Sequence, residues 1–175
     1  MASSKTNVYT SKNILIIGEE DFSLSVAFLS FSPKHLVCTS LTGLKKAAVK
    51  NVQLLRNQGH EVFPRTDFFL TSFHDRKFDA IVFGFPMENT GYSKDNARFV
   101  KAVIRKALYL LQPNGLLNLV LYRSNWQSWG LDIFCSKCDV TNVDLLSSGP
   151  PKRLWCELMW YCKSCQSELC FVCFP

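Results

Sequence analysis

Residues 13–25, Asn-Ile-Leu-Ile-Ile-Gly-Glu-Glu-Asp-Phe-Ser-Leu-Ser, restrict the fold more than any other part of the chain. The four aliphatic residues from Ile14 to Ile17 predict a buried strand, and Gly18 predicts its sharp end. An apolar helix is expected from Phe22 to about Leu29. Ligands of open α/β sheets bind beyond the carboxyl ends of the strands, so this segment predicts a ligand-binding turn.

The turn carries three consecutive carboxylates, Glu19, Glu20 and Asp21. Backbone N–H groups bind a pyrophosphate, whereas acidic side chains attract a cationic ligand. The G-x-G-x-x-G fingerprint of dinucleotide-binding folds is absent from the sequence. S-Adenosylmethionine has a sulfonium, an ammonium and a ribose diol, and it therefore matches this turn better than NAD does.

The rest of the chain alternates between strand-like and helix-like patterns, without an internal repeat. Strands are predicted at 35–40, 60–65, 78–85, 116–122 and 154–161, and helices at 44–57, 95–111 and 126–138. The residues expected to face the core from the first of these helices are Leu44, Ala48, Val52 and Leu55.

Several predicted strands are nearly continuous apolar runs, which are typical of strands covered by helices on both faces. We therefore expect an α/β fold with a mostly parallel central sheet. The chain is interpreted as a single domain over residues 1–175, with a flexible N-terminus at 1–12 and a cysteine-rich terminal strand region at 152–175. The turn at 112–115, Gln-Pro-Asn-Gly, precedes a buried strand.

Composition indicates a globular protein, because 47% of the residues are hydrophobic and 19% are charged. The net charge of +6 is compatible with an RNA partner but does not establish one. No apolar stretch has the length of a membrane span, so no membrane partner is expected. The first residues lack the apolar run of a signal peptide, which predicts an intracellular protein.

Several segments, in order, resemble the Rossmann-like family typified by the large-subunit rRNA uridine-N3 methyltransferase. Gly18 to Ser25 is similar to that family's Gly-Glu-Gly-Asp-Phe-Ser-Phe-Ser turn, and Phe78 to Met87 is similar to its Phe-Asp-x-Ile-Val-Phe-Asn-Phe-Pro-His segment. The shorter matches are Thr39-Ser40-Leu41, Asn51 with Leu55 and Gly59, Thr66-Asp67, and Gln127-Ser128-Trp129. The resemblance covers about Asn13 to Leu131.

The resemblance implies a class I methyltransferase fold and an S-adenosylmethionine-dependent RNA methyltransferase, with rRNA as partner. It implies that the donor's methionine part is held by Gly18, Glu19, Asp21 and Ser23, its ribose by Ser40 and its adenine by Asp67. It places Phe85 and Pro86 at the reacting atoms, and Lys94, Asn96 and Arg123 near RNA. A nucleolar or nuclear location follows by the same resemblance, with the cytoplasm as alternative.

Other interpretations remain open. The chain departs from the family pattern at Glu20, Thr42, Gly84, Met87 and Tyr122. These departures favour the alternative function, a catalytically inactive relative that binds RNA or a protein. The carboxylate after the third strand can also cap the segment that follows it, and lysines on a helix are more often a solvated face.

Cysteines cluster in the last part of the chain. Cys162-x-x-Cys165 and Cys170-x-x-Cys173 have the spacing of zinc knuckles, although four residues between the pairs make a short return path. Cys135-x-x-Cys138 offers another pair. Reduced thiols in an apolar strand explain the same residues, and zinc is left out of the main prediction.

Overall fold

The computed structural model describes residues 9–74, 76–84, 93–122, 140–146, 156–162 and 167–174, and from residue 119 onward it describes the backbone alone. Most of the N-terminal segment predicted to be flexible lies outside these residues, as does the helix predicted at 126–138. The chain divides into two compact units, one that ends at Thr71 and one that begins at Ser72.

The first unit has a parallel sheet of three strands with the order β3-β2-β1. Its elements are β1 (Asn13–Ile17), α1 (Ser23–Phe28), a short 3₁₀ helix (Leu29–Phe31), β2 (His35–Thr39), α2 (Ala48–Asn57) and β3 (Glu61–Phe63). The strands run in one direction, and Ile14 lies opposite Leu36. Their carboxyl ends therefore meet at one edge of the sheet.

The core of this unit is built by the apolar runs that the sequence predicts as strands. Residues 14–17 are at most 2% exposed, and Ala48, Val52 and Leu55 face inward from α2. The prediction that Leu44 faces the core is wrong, because α2 begins at Ala48 and Leu44 is 44% exposed. Residues before Ala48 form a loop instead, and the carbonyl of Thr42 accepts a hydrogen bond from Arg65 N–H at 3.1 Å.

The second unit has the strand order β4-β5-β8-β7-β6. Its elements are β4 (Phe78–Gly84), α3 (Ser93–Leu110), β5 (Leu111–Tyr122), β6 (Val140–Leu146), β7 (Cys156–Cys162) and β8 (Ser167–Phe174). Strand β5 is parallel to β4 and to β8, whereas β7 is antiparallel to β6 and β8. The inward face of α3 includes Val103, Ala107 and Leu110.

The turn predicted at 112–115 is an irregularity inside β5. Phe78 pairs with Leu111, and the next pair of the ladder joins Ala80 to Leu116, so the residues between them bulge from the ladder. Asn114 has a left-handed φ of 62°, and a Cβ on Gly115 would lie 2.9 Å from the carbonyl oxygen of Gln112. This close approach favours glycine in the bulge.

Among the described residues, no helix combines the length and the apolar character needed to cross a membrane.

Candidate functional site

Gly18 turns the chain sharply at the carboxyl end of β1. Its φ of 79° lies in the left-handed region that favours glycine. The N–H groups of Gly18 and Glu19 both donate to the carbonyl of Thr39, at 3.1 and 3.2 Å. These bonds fasten the turn to the end of β2, where ligands of such sheets bind.

Phe22, directly before α1, is the second residue of the turn with a left-handed φ. Its φ is 61°, and its side chain is fully buried. A bulky residue in this region is costly, so burial of the ring in the core offsets the strain. Glu20, which replaces the second glycine of the family turn, is not among the left-handed residues. The backbone therefore does not require glycine at that position.

Glu19 points into the turn and is 8% exposed. Its Oε2 accepts the backbone N–H of Ser25 at 2.9 Å, and its Oε1 accepts the Ser25 hydroxyl. Burial raises the pKa of Glu19 above its usual value, although both hydrogen bonds act in the opposite direction. The carboxylate thus ties the turn to α1, and its predicted contact with a donor stays a prediction.

Cys38 extends this buried cluster into β2. The side chain is fully buried, and burial raises the pKa of its thiol to about 12. The charge of Glu19 raises this pKa further, while a hydrogen bond with Ser25 lowers it. The turn is therefore supported from the protein interior by Glu19, Ser25 and Cys38. The sequence did not predict this role for them.

Asp21 holds the outer part of the turn. Its Oδ1 accepts the Ser23 N–H at 3.0 Å, and hydrogen bonding from Ser23 lowers the pKa of this carboxyl. The carbonyl of Asp21 accepts from Asn51 Nδ2 at 2.9 Å, which joins the turn to α2. Asp21 therefore stays a carboxylate at neutral pH, half-buried and beside the exposed Ser23.

Ser40 follows β2 at the same edge and is 1% exposed. Its N–H donates to the carbonyl of Phe63 at 3.1 Å, and its carbonyl accepts the N–H of Thr66 at 2.8 Å. Its hydroxyl donates to the carbonyl of Thr42 at 3.2 Å. These bonds fix the loop after β2 against the segment after β3, and the predicted ribose contact stays a prediction.

Asp67 lies beyond the carboxyl end of β3 and caps the turn that follows it. Its Oδ1 accepts the N–H groups of Phe69 and Leu70, at 2.7 and 3.4 Å. Its carbonyl accepts the Thr71 N–H at 3.0 Å. The capping interpretation left open by the sequence is therefore confirmed, and contact with an adenine stays a prediction.

An ion pair joins two loops at this edge. Lys45 Nζ lies 2.5 Å from Glu20 Oε2, and the two side chains are 55% and 70% exposed. Sequence reasoning missed this pair, because residues 25 positions apart share no local pattern. The structure thus brings Gly18, Glu19, Asp21, Ser23, Ser40 and Asp67 to one edge of the first unit's sheet.

The remaining predicted site residues belong to the second unit. Phe85, Pro86 and Arg123 lie outside the described residues. Lys94 is in the first turn of α3, and its side chain is not described. Asn96 lies in the same helix and is 7% exposed. Their predicted roles stay predictions.

Strand register separates the cysteines of the zinc-knuckle spacing that the sequence left outside the main prediction. Cys162 lies opposite Ser167, and Cys173 lies six positions further along β8, opposite Cys156. Six residues of strand span about 20 Å, which is too far for two ligands of one zinc ion. Within the described part of the chain, no group of three or more His, Cys, Asp or Glu residues could hold a metal ion.

Two solved structures share this fold. SMU.776, solved in complex with SAH, superposes with a TM-score of 0.57 and 17% identity over 83% of this chain and 40% of that chain. The N-methyltransferase NodS from Bradyrhizobium japonicum WM9 superposes with a TM-score of 0.54 and 19% identity, over 81% of this chain and 80% of that chain. The chain thus spans less than half of SMU.776. The Rossmann-like methyltransferase fold predicted from the sequence is confirmed.

Comparison of the sequence with known proteins and families identified one family. A search of curated proteins found no match. A family model described as "rRNA (uridine-N3-)-methyltransferase BTM5-like" matches residues 15–147, which include the Gly18 turn, Ser40 and Asp67. With most of its length matched, the chain belongs to the BMT5-like family.

Proposed function

We propose that the protein transfers a methyl group from S-adenosylmethionine to N3 of a uridine in rRNA. Membership of the BMT5-like family and the methyltransferase fold support this proposal. The observation that carries it is the Asp21 carboxylate, which lies in a turn at the carboxyl edge of the sheet and accepts a hydrogen bond from Ser23 that lowers its pKa. Because the family is described as methylating rRNA, we also propose that the protein is located in the nucleus, and more specifically in the nucleolus.

The residues of this edge fit such a donor. Gly18 is exposed and has no side chain to obstruct the approach of a ligand to the backbone. Asp21 supplies a negative charge, which favours a ligand with an ammonium and a sulfonium. Ser40 and Asp67 lie after the next two parallel strands, where we assign them to the ribose and the adenine.

S-Adenosylmethionine supplies an electrophilic methyl group, and the protein's part is to align the uridine and to let the N3 proton leave. We assign Phe85 and Pro86 to the platform at the reacting base. We assign Lys94, Asn96 and Arg123 to contacts with the RNA. A uridine must leave its stack to reach such a site, and a flat aromatic surface would hold it.

Calorimetric titration with S-adenosylmethionine tests the donor site. Asp21→Asn keeps an oxygen that can accept the Ser23 N–H but removes the charge, whereas Asp21→Ala removes both. The matched control is Glu61→Gln, at the start of β3 and thus at the opposite end of the strands. We expect wild-type binding, a loss of about tenfold or more in Asp21→Asn, and wild-type affinity in the control.

Absence of binding at millimolar donor would contradict the proposal, as would equal affinities in Asp21→Asn and the wild type. Once binding is established, transfer of a labelled methyl group to rRNA fragments, followed by nucleoside analysis for N3-methyluridine, identifies the acceptor atom.

A further inference from the structure

The charge of the first unit is distributed unevenly. Residues 22–60 contain no Asp or Glu. Three exposed lysines, Lys45, Lys46 and Lys50, lie immediately before α2 and in its first turn. The amino end of a helix carries a partial positive charge and is stabilised by acidic residues, yet α2 has none in its first turn. Helix stability therefore does not explain the position of these lysines.

Arg65 adds a fourth cation to the same place. It is exposed, its φ of 54° is left-handed, and its N–H donates to the carbonyl of Thr42. A Cβ built on Gly43 would lie 3.1 Å from Arg65 Nε, so the guanidinium group lies close against the loop that leads to the lysines. We call Lys45, Lys46, Lys50 and Arg65 the basic surface.

Most cations of the basic surface have no ion-pair partner within the described part of the chain. Lys45 pairs with Glu20, and among the described residues no salt bridge to Lys46, Lys50 or Arg65 is present. Three exposed cations without an ion-pair partner among these residues, beside a fourth whose pair with Glu20 is itself exposed, attract a polyanion.

The basic surface adjoins the turn that we assign to the methyl donor. The Lys45–Glu20 ion pair joins the two directly, and Asn51, which follows Lys50 in α2, donates a hydrogen bond to the Asp21 carbonyl. A polyanion bound here would therefore lie next to the donor.

An exposed aromatic residue distinguishes between the polyanions. Phe63 ends β3 two residues before Arg65, and its side chain is 41% exposed. Single-stranded nucleic acids bind to cations that track the backbone together with aromatic rings that stack on bases. An acidic protein would use the cations and would gain less from the ring. The combination thus favours a single strand of RNA.

We propose that Lys45, Lys46, Lys50 and Arg65 bind phosphates of a single-stranded segment of the RNA substrate, and that Phe63 stacks on one of its bases. This inference rests on the proposed function for the identity of the polyanion. It adds a substrate-binding surface in the first unit to the residues assigned to RNA in the second.

Fluorescence anisotropy with a short labelled oligouridine, over a series of salt concentrations, tests the basic surface. The variant is Lys46→Ala with Lys50→Ala. The matched control is Lys12→Ala with Lys34→Ala, two exposed lysines that precede β1 and β2 at the other end of the strands. Each phosphate contact to a single strand contributes about 0.7 to the slope of log K against log salt, so the variant should lose about 1.4 and the control nothing.

Phe63→Leu should weaken binding about fivefold or more without changing the salt slope, because the ring carries no charge. Equal slopes for the two double variants would overturn the inference, as would a wild type that does not bind the oligouridine. Displacement of the RNA by polyglutamate as effectively as by unlabelled oligouridine would indicate an acidic protein partner and would also overturn it. Donor titration of Lys46→Ala with Lys50→Ala should match the wild type, so failure of the donor site is detected separately.

Discussion

Ser25 donates both its backbone N–H and its hydroxyl to the carboxylate of Glu19, six residues earlier in the chain. A residue of the acidic turn after β1 therefore acts as an internal clamp between that turn and α1. The negative charge presented outward is left to Asp21 and to Glu20, and Lys45 pairs with the latter. In the function that we propose, the negative charge offered to a cationic donor therefore comes mainly from Asp21.

Glu19→Ala should destabilise the protein by about 1–3 kcal/mol, because it leaves the buried N–H and hydroxyl of Ser25 without their acceptor. Urea denaturation measures the free energy of unfolding. The control is Glu20→Ala, whose side chain is 70% exposed and whose loss should cost less than about 1 kcal/mol. A double-mutant cycle with Ser25→Ala should give a coupling energy clearly above zero, and additive effects would show that the clamp is unimportant.

The raised pKa of Glu19 makes stability depend on pH. Between the unfolded value, near 4.5, and the higher folded pKa, the folded state holds a proton that the unfolded state has lost. The stabilising contribution of protonation is complete below 4.5 and is lost as the pH rises through the folded pKa. The free energy of unfolding of the wild type, relative to Glu19→Gln, should therefore fall with rising pH. A difference that is constant with pH would contradict this prediction.

Cys38 should be unreactive in the folded protein. A thiol pKa of about 12, together with full burial, leaves almost no accessible thiolate at neutral pH. Alkylation with iodoacetamide, followed by peptide mass spectrometry, should leave Cys38 unmodified in native buffer and modify it in denaturant. Modification at the same rate in both conditions would mean that β2 is not the buried strand described here.

His60 should destabilise the protein in mild acid. Its Nδ1 accepts the N–H of Leu36 at 3.3 Å, which requires that nitrogen to be unprotonated. Burial lowers the pKa of His60 below 6.5, and the proximity of His35 lowers it further. The unfolded state therefore binds protons more readily, and stability should decrease as the pH falls below about 6.5.

His60→Asn keeps an acceptor in a similar position but does not titrate. The free energy of unfolding of this variant should depend less on pH between about 8 and 5 than that of the wild type. Identical pH profiles for the two proteins would show that His60 does not contribute to this dependence.

The sequence predicts best where one local property decides the structure. The continuous apolar runs before Gly18 and around Cys38 leave few alternatives to a buried parallel strand. The sequence predicts the start of this helix at residue 44, because Leu44 continues the helical period. In the structure, hydrogen bonds from the segment after β3 fix the loop before α2, and the helix begins only at Ala48. These bonds join residues that are far apart in sequence, so periodicity cannot reveal them.

The sequence does not predict β6, and it predicts β8 only as part of the terminal strand region at 152–175. Val140–Leu146 mixes polar and apolar residues without a regular alternation, and Ser167–Phe174 was interpreted through its cysteine spacing. Both segments become strands through hydrogen bonds to their partner strands, which lie elsewhere in the sequence. At the site, the sequence identified which residues gather at the sheet edge, but the inward orientation of Glu19 depends on how α1 packs.

The strand order of the second unit has a consequence for folding. Strand β8 lies between β5 and β7, so a ribosome must synthesise residues 167–174 before either neighbour gains its partner on that side. Until then, β5 and the β6–β7 hairpin would present open backbone edges, which invite pairing with other chains. The nascent protein should therefore depend on chaperones longest at this point, and a stop codon before β8 should cause aggregation rather than a modest loss of stability.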